Sequence, residues 1–162
     1  MHKAAKLLVH ELQNANVSHL VVGKNVAWKQ NLDMQSVAAQ NFAYIPHAKF
    51  ISILSQKCEK VGIFVETHEE SYTSKCSFLD QEQVGKHDVY QGVRQTRGLF
   101  ISAKGFRINA DTNGAGNTLR KAVKNAWDLW SKADLIQGFV VSPRRLNVPQ
   151  PKRLQREKQE SL

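Results

Sequence analysis

The sequence predicts an α/β protein, and three observations carry that expectation. Two amphipathic helical stretches are each followed by a short apolar strand, and a later pair of short strands split by a glycine-containing turn runs into a further helical stretch. Strand, helix and strand in that order need a right-handed crossover between parallel neighbours. With 162 residues, 41% of them apolar, the chain suits one folded unit that needs no disulfide or metal staple.

Over residues 3–15, Ala4, Leu8, Leu12 and Ala15 recur at helical spacing, while Lys3, Lys6, His10 and Gln13 take the other side. Asn16 is the expected stop, and residues 19–23 read as a short buried strand. Residues 24–44 show no sustained period and are expected to form a long loop with a helical turn near residues 37–42. Pro46 suits a first helical position. Phe50, Ile53, Leu54, Cys58 and Val61 then mark one face of a helix that ends at Gly62. Residues 63–67 form the second strand, residues 69–95 are polar and turn-rich, and residues 98–102 and 106–109 flank Ala103-Lys104-Gly105 as a β-hairpin. From Ala110 onward, Ala115, Leu119, Ala122, Val123, Ala126, Trp127 and Trp130 build a long apolar helical face that should pack on the sheet. Beyond Ser142 lie three of the four prolines and six basic residues against two acidic ones. Residues 1–130 are therefore expected to fold, and residues 131–162 to form a basic tail that is solvated or touches nucleic acid.

Lys and Arg number 23 against 14 Asp and Glu, a formal charge of +9. So basic a domain favours polyanionic partners, nucleic acid first and a membrane surface second, although plain solubility accounts for the same charge. The apolar run at residues 7–9 is too brief for a signal-peptide core or a bilayer span, so the expected location is the cytoplasm, away from membranes. Cys58 and Cys76 lack the paired spacing of a zinc ribbon and are expected to be reduced thiols with no zinc. His47 and His68 have no second ligand three or four residues away and read as structural.

Phosphodiester hydrolysis by two metal ions needs several carboxylates converging from separate elements. Two places qualify: Glu69-Glu70 just past the second strand, and Asp111 where the hairpin gives way to the last helix. Asp111, with Asn113 and Gly114 after it, equally suits capping of a helix N-terminus, and the glutamates equally suit a solvated loop. Tyr72, Thr73, Ser74 and Lys75 combine an aromatic face, hydroxyls and a cation, which suits base stacking and phosphate contact as well as an ordinary loop. Trp28, beside Lys24, Lys29 and Gln30, offers a similar mixture but reads as an anchor for its loop, and Trp127 and Trp130 read as core. Arg120, Lys121 and Lys124 form a cationic face that either follows a phosphate backbone or is merely solvated.

Two stretches also carry a resemblance. Glu69-Glu70-Ser71-Tyr72-Thr73-Ser74-Lys75-Cys76-Ser77-Phe78-Leu79-Asp80 and Ile108-Asn109-Ala110-Asp111-Thr112-Asn113-Gly114-Ala115-Gly116-Asn117-Thr118-Leu119-Arg120-Lys121 closely resemble the E-x-Y-T-S-K and I-N-A-D-x-N-G-A-x-N-I-x-R-K signatures of the transposon OrfB/TnpB family. His2-Lys3-Ala4, Val22-Gly23-Lys24-Asn25, Trp28-Lys29-Gln30, Ile45-Pro46-His47 and Gly98-Leu99-Phe100 look like that family in the same order, so the likeness covers roughly residues 2–125. It implies a partial RNase H-like, RuvC-type nuclease core of insertion-sequence origin, related to type V CRISPR effectors and guided by RNA to DNA. Residues 69–125 would then be a target-nucleic-acid-binding region. Asp111 would be the last catalytic carboxylate and a magnesium ligand. Many relatives place a Glu at the end of the strand that here finishes in Gly23, and Glu70, or its neighbour Glu69, stands in for it, Glu70 being preferred. Tyr72, Thr73, Ser74, Lys75, Asn113, Arg120, Lys121 and Lys124 are the expected nucleic-acid contacts. The family's first catalytic Asp lies on a strand upstream of the segment matching His2-Lys3. The chain is thus expected to be a C-terminal portion that binds DNA, with guide RNA or a full-length relative as further partners, and does not cut alone.

Overall fold

A computed structural model describes residues 1–24, 46–127 and 146–148. In order, the elements are α1 (His2–Asn14), β1 (His19–Lys24), α2 (His47–Glu59), β2 (Phe64–Glu69), β3 (Val93–Thr96), β4 (Leu99–Ile101), β5 (Arg107–Asn109) and α3 (Ala110–Ala122). The expected helical turn near residues 37–42, Trp28, Lys29, Gln30, Trp130 and nearly all of the basic tail lie outside the described residues.

β1 and β2 pair in parallel, from His19 opposite Phe64 to Lys24 opposite Glu69. β3, β4 and β5 form a separate antiparallel sheet in which Phe100 lies opposite both Arg94 and Ile108. The α/β class, the parallel pair and the hairpin match expectation. Among the described residues the parallel sheet has two strands, which by themselves do not establish the partial RNase H-like core.

Local sequence explains the boundaries. Asn16 adopts the left-handed conformation (φ 52°) that ends α1, with its N–H on the Gln13 carbonyl and that of Val17 on the Leu12 carbonyl, both at 2.9 Å. Pro46 stands just before α2 as its N-cap, and its carbonyl accepts from the Phe50 N–H at 3.0 Å. Gly62 has φ 77° and turns the chain from α2 into β2.

One core joins Ala5 and Val9 of α1 to Ile53, Leu54 and Cys58 of α2 and to Ile63, with Leu20 and Val65 supplied by the parallel strands. The expected α1 face is corrected here. Ala5, Leu8, Val9 and Leu12 satisfy helical spacing as well as the Ala4 stripe does, and packing against α2 selects Ala5 and Val9 while Ala15 falls outside the helix. A second core gathers Phe78, Phe100, Ile108 and Ala110, with Leu79 and Trp127 at its margin.

Two further expectations are corrected. Residues 93–96 are a strand, not part of a structureless stretch; all four residues are exposed, so β3 is held by its ladder to β4 and leaves no apolar alternation in the sequence. Helix α3 stops at Ala122, because Val123 turns extended at φ −118° and ψ 104°. Its buried face is Ala110, Asn113, Gly116, Asn117 and Thr118, while Ala115 is exposed. The inward face is polar because it meets the backbone of the turns after β2, whose amides and carbonyls need partners.

Candidate nucleic-acid and cation site

The ends of β1 and β2 and the start of α3 enclose a cleft of about 430 Å³ lined by Gly23, Glu70, Ser74, Arg94, Asp111 and Thr118 among others. Glu70 follows directly on β2, and its N–H donates to the Lys24 carbonyl at 3.3 Å, which carries the ladder one step past the strand. The chain then turns sharply. Tyr72 has φ 65°, and the Thr73 hydroxyl and N–H donate to the Glu70 carbonyl at 2.9 and 3.2 Å. These bonds aim the Glu70 side chain back over β1, into the space that a side chain on residue 23 would fill. A Cβ at Gly23 would overlap the Glu70 carboxylate.

The adjacent glutamates differ in environment. Glu69 turns away to accept from the Ser71 hydroxyl and N–H, and Lys121 Nζ lies 3.4 Å from its Oε2. Its pKa is lowered, chiefly by the Ser71 hydroxyl. Glu70 is half-buried and its pKa is raised, first by burial and then by the charge of Glu69, with Lys121 partly offsetting. Of the pair, Glu70 lines the cleft.

Asp111 sits in the first turn of α3 but does not cap it. Asn109 is the N-cap, its side-chain oxygen accepting from the Asp111 and Thr112 N–H groups at 2.9 and 3.2 Å. The Asp111 side chain is 86% exposed, and one oxygen lies 3.7 Å from Arg94 of β3. Arg94 also donates to the Arg97 carbonyl at 2.6 Å, which orients its guanidinium. Sequence reasoning missed Arg94, since nothing in an exposed Val-Arg-Gln-Thr run marks which residue the sheet will turn toward the helix.

Several expected nucleic-acid contacts prove to be internal fasteners. Asn113 is fully buried; it accepts from the Phe78 N–H and donates to the Cys76 carbonyl, both at 2.9 Å. Thr73 is 4% exposed and bonded to Glu70. Burial and these bonds give both side chains a structural part, although Thr73 also lines the cleft. Arg120 donates to the Gln81 and Glu82 carbonyls and to Asn117, and burial lowers its pKa, so this guanidinium clamps the turns. Lys121 bonds the Glu69 and Ser71 carbonyls at 2.7 and 3.2 Å. Tyr72, Ser74, Lys75 and Lys124 are exposed, with the Lys75 ammonium 5.9 Å from the centre of the Tyr90 ring.

Among the described residues, no three His, Cys, Asp or Glu side chains group to hold a metal ion. Glu70 and Asp111 line one cleft, and a hydrated magnesium ion binds through one or two carboxylates while keeping several waters. A raised carboxylate pKa is also what an added cation would relieve. No described helix is long and apolar enough to cross a membrane.

The burial of Glu70 sets a pH dependence of stability. A carboxyl whose folded pKa is raised costs stability once ionised, a cost absent below the ordinary glutamate value, growing as pH rises toward the raised value and complete above it. Glu70→Gln should therefore stabilise the metal-free protein at neutral pH and leave it unchanged in acid. Urea melts across that range measure the difference, and equal effects at both ends would refute it.

Comparison with known proteins adds two findings. A family model described as Cas12f1-like, TNB domain matches residues 47–118. The chain is also 34% identical over 79 residues to a TnpB-like protein, ORF457, of Acidianus two-tailed virus; the match takes in 48% of this chain and spans 15% of that protein's length.

Proposed function

We propose that the chain is a TnpB/OrfB-family, Cas12-related protein and that it binds nucleic acid, DNA foremost, over the cleft between Gly23, Glu70, Arg94 and Asp111, in an RNase H-like arrangement of transposon origin. The observation that carries this reading is the placement of Glu70 over Gly23, in one cleft with Asp111. The carboxylate that relatives place on the β1 position is delivered here from the end of β2, so the cleft keeps its charge by a different route.

In this reading Glu70 and Asp111 hold one magnesium ion, which when bound supplies positive charge to a phosphate oxygen. Arg94 holds the adjacent side of the phosphate. Tyr72, Ser74, Lys75 and Lys124 are the side chains available to bases and backbone, and guide RNA is a second candidate ligand for the same exposed surface. Two-metal hydrolysis needs more carboxylates than this pair. With Glu70 and Asp111 the carboxylates lining the cleft among the described residues, binding without cutting is expected, and a relative that supplies a further carboxylate is the partner that would complete the site.

The test is DNA and RNA binding by the purified chain across a salt series, with and without magnesium, alongside a cleavage assay. Salt-dependent binding, a magnesium-induced rise in thermal stability and no cleavage product are expected. Glu70→Gln and Asp111→Asn should each remove the magnesium response and leave magnesium-free binding intact. Gly23→Ala should act like Glu70→Gln on magnesium, because its methyl group displaces the carboxylate. Metal-dependent cutting by this chain would overturn the expectation of inactivity; absence of any magnesium response would remove the cation from the reading. A non-catalytic binding module is the second reading, favoured by the engagement of Asp111 with Arg94, and it predicts binding indifferent to magnesium throughout.

A further inference from the structure

The helices on the other face of the β1–β2 pair enclose a second groove that the cleft does not use. Leu20 and Val65 turn toward α1 and α2, whereas their strand neighbours Val21 and Gly23 line the cleft, so groove and cleft are separated by the sheet. The groove, about 410 Å³, is rimmed by Lys6 and His10 of α1 and by Lys57 of α2 with Lys60 just after it, and its floor includes Val9 and Val61. No carboxylate lines it, and among the described residues none of the three lysines is in an ion pair. Val9 is 6% exposed and Val61 40%, so the floor is a narrow apolar strip between cationic walls.

We infer that this groove is a second nucleic-acid surface, one that takes the phosphodiester backbone of a single strand independently of the cleft. Charge complementarity selects the occupant: three lysines converging from two helices onto a concave strip track closely spaced negative charges. A lipid surface fits less well, because interfacial helices need large apolar side chains facing outward. The exposed positions of α1 include Lys3, Lys6, His10 and Gln13, and Ala5, Leu8, Val9 and Leu12 serve the core. The floor gives sugars and base edges a dry contact without specifying sequence.

This inference rests on the reading of the chain as a nucleic-acid binder but not on its cation site, and the test separates the two. Binding of a fluorescent oligo-U and an oligo-dT strand is measured by anisotropy over a salt series in EDTA, for the full chain and for Lys6→Gln/Lys57→Gln/Lys60→Gln. A charge-matched control, Lys86→Gln/Lys104→Gln/Arg107→Gln, changes exposed residues away from the groove. Single-strand binding loses a slope of about 0.7 per phosphate contact, so the groove variant should flatten the log–log salt dependence by about 2 and weaken binding at least tenfold at ~0.1 M salt. Its urea midpoint should stay at the wild-type value. A control variant that flattens the slope as much as the groove variant, or attachment to anionic vesicles with no attachment to either strand, would overturn the proposal. Loss of the magnesium response with the groove slope intact would strike the cation site alone.

Discussion

Asn113→Ala is expected to lower the free energy of unfolding by about 3 kcal/mol, a large share of what holds a domain of this size together. The alanine would remove the buried side-chain oxygen that accepts from the Phe78 N–H at 2.9 Å. A buried donor left unsatisfied costs the full desolvation of the group, about 1–3 kcal/mol, beyond the bond itself. The Cys76 carbonyl is protected from the same fate, because Asn117 also donates to it, at 2.7 Å, while donating to the Thr73 carbonyl at 2.9 Å. Asn113→Ala/Asn117→Ala should therefore cost more than the two single losses together, since only the double variant strips Cys76 of both amides. Urea denaturation of the four proteins gives the cycle. Strict additivity would show that the shared carbonyl does not couple the two side chains, and a single loss under about 1 kcal/mol would show that water reaches the turn.

The second large effect centres on Phe78, which is 1% exposed, meets Trp127 edge-on at 5.2 Å between ring centres, and lies against Gly116. Phe78→Ala should cost about 3–5 kcal/mol through lost transfer energy and the cavity left behind. Gly116 tests the same contact from the other side. Alanine in a helix interior normally gains about 1 kcal/mol over glycine. At residue 116, however, a Cβ would stand 2.6 Å from the Phe78 ring, and an aromatic ring in a packed core does not yield as a flexible tip would. Overpacking of that kind costs about 1–3 kcal/mol and wins. Two residues earlier in the same helix, a Cβ on Gly114 would meet nothing within 4 Å. Gly114→Ala should thus stabilise and Gly116→Ala destabilise. Matching signs in thermal or urea melts would refute the packing account.

What the sequence made legible follows from which forces dominate where. The parallel strands, α2 and the hairpin were readable because apolar burial sets them, and burial leaves a period. β3 was not, since an exposed edge strand is fixed by backbone pairing alone. The inner face of α3 was misread for a related reason: Ala115, Leu119 and Ala122 look like a core stripe, but the helix packs on turn backbone and buries Asn113, Gly116 and Asn117 instead. Hydropathy cannot see a face whose purpose is to satisfy carbonyls. At the candidate site, Glu70 and Asp111 were recognisable from their motifs. Which glutamate turned into the cleft depended on the hydroxyl of Ser71 and the turn at Tyr72, and the approach of Arg94 depended on a strand that had left no trace.

The relation between Gly23 and Glu70 constrains how such a protein can change by descent. Gly23 lies on β1 and Glu70 just past the end of β2, and they share one volume, so a side chain added at residue 23 must displace the Glu70 carboxylate. A lineage can carry the charge on residue 23 or on residue 70, but the passage between them runs through intermediates: a glutamate added at 23 first collides with the resident, and one lost at 70 first leaves the space neutral and empty. In three dimensions the two positions compete for one space, a coupling that sequence alone does not display.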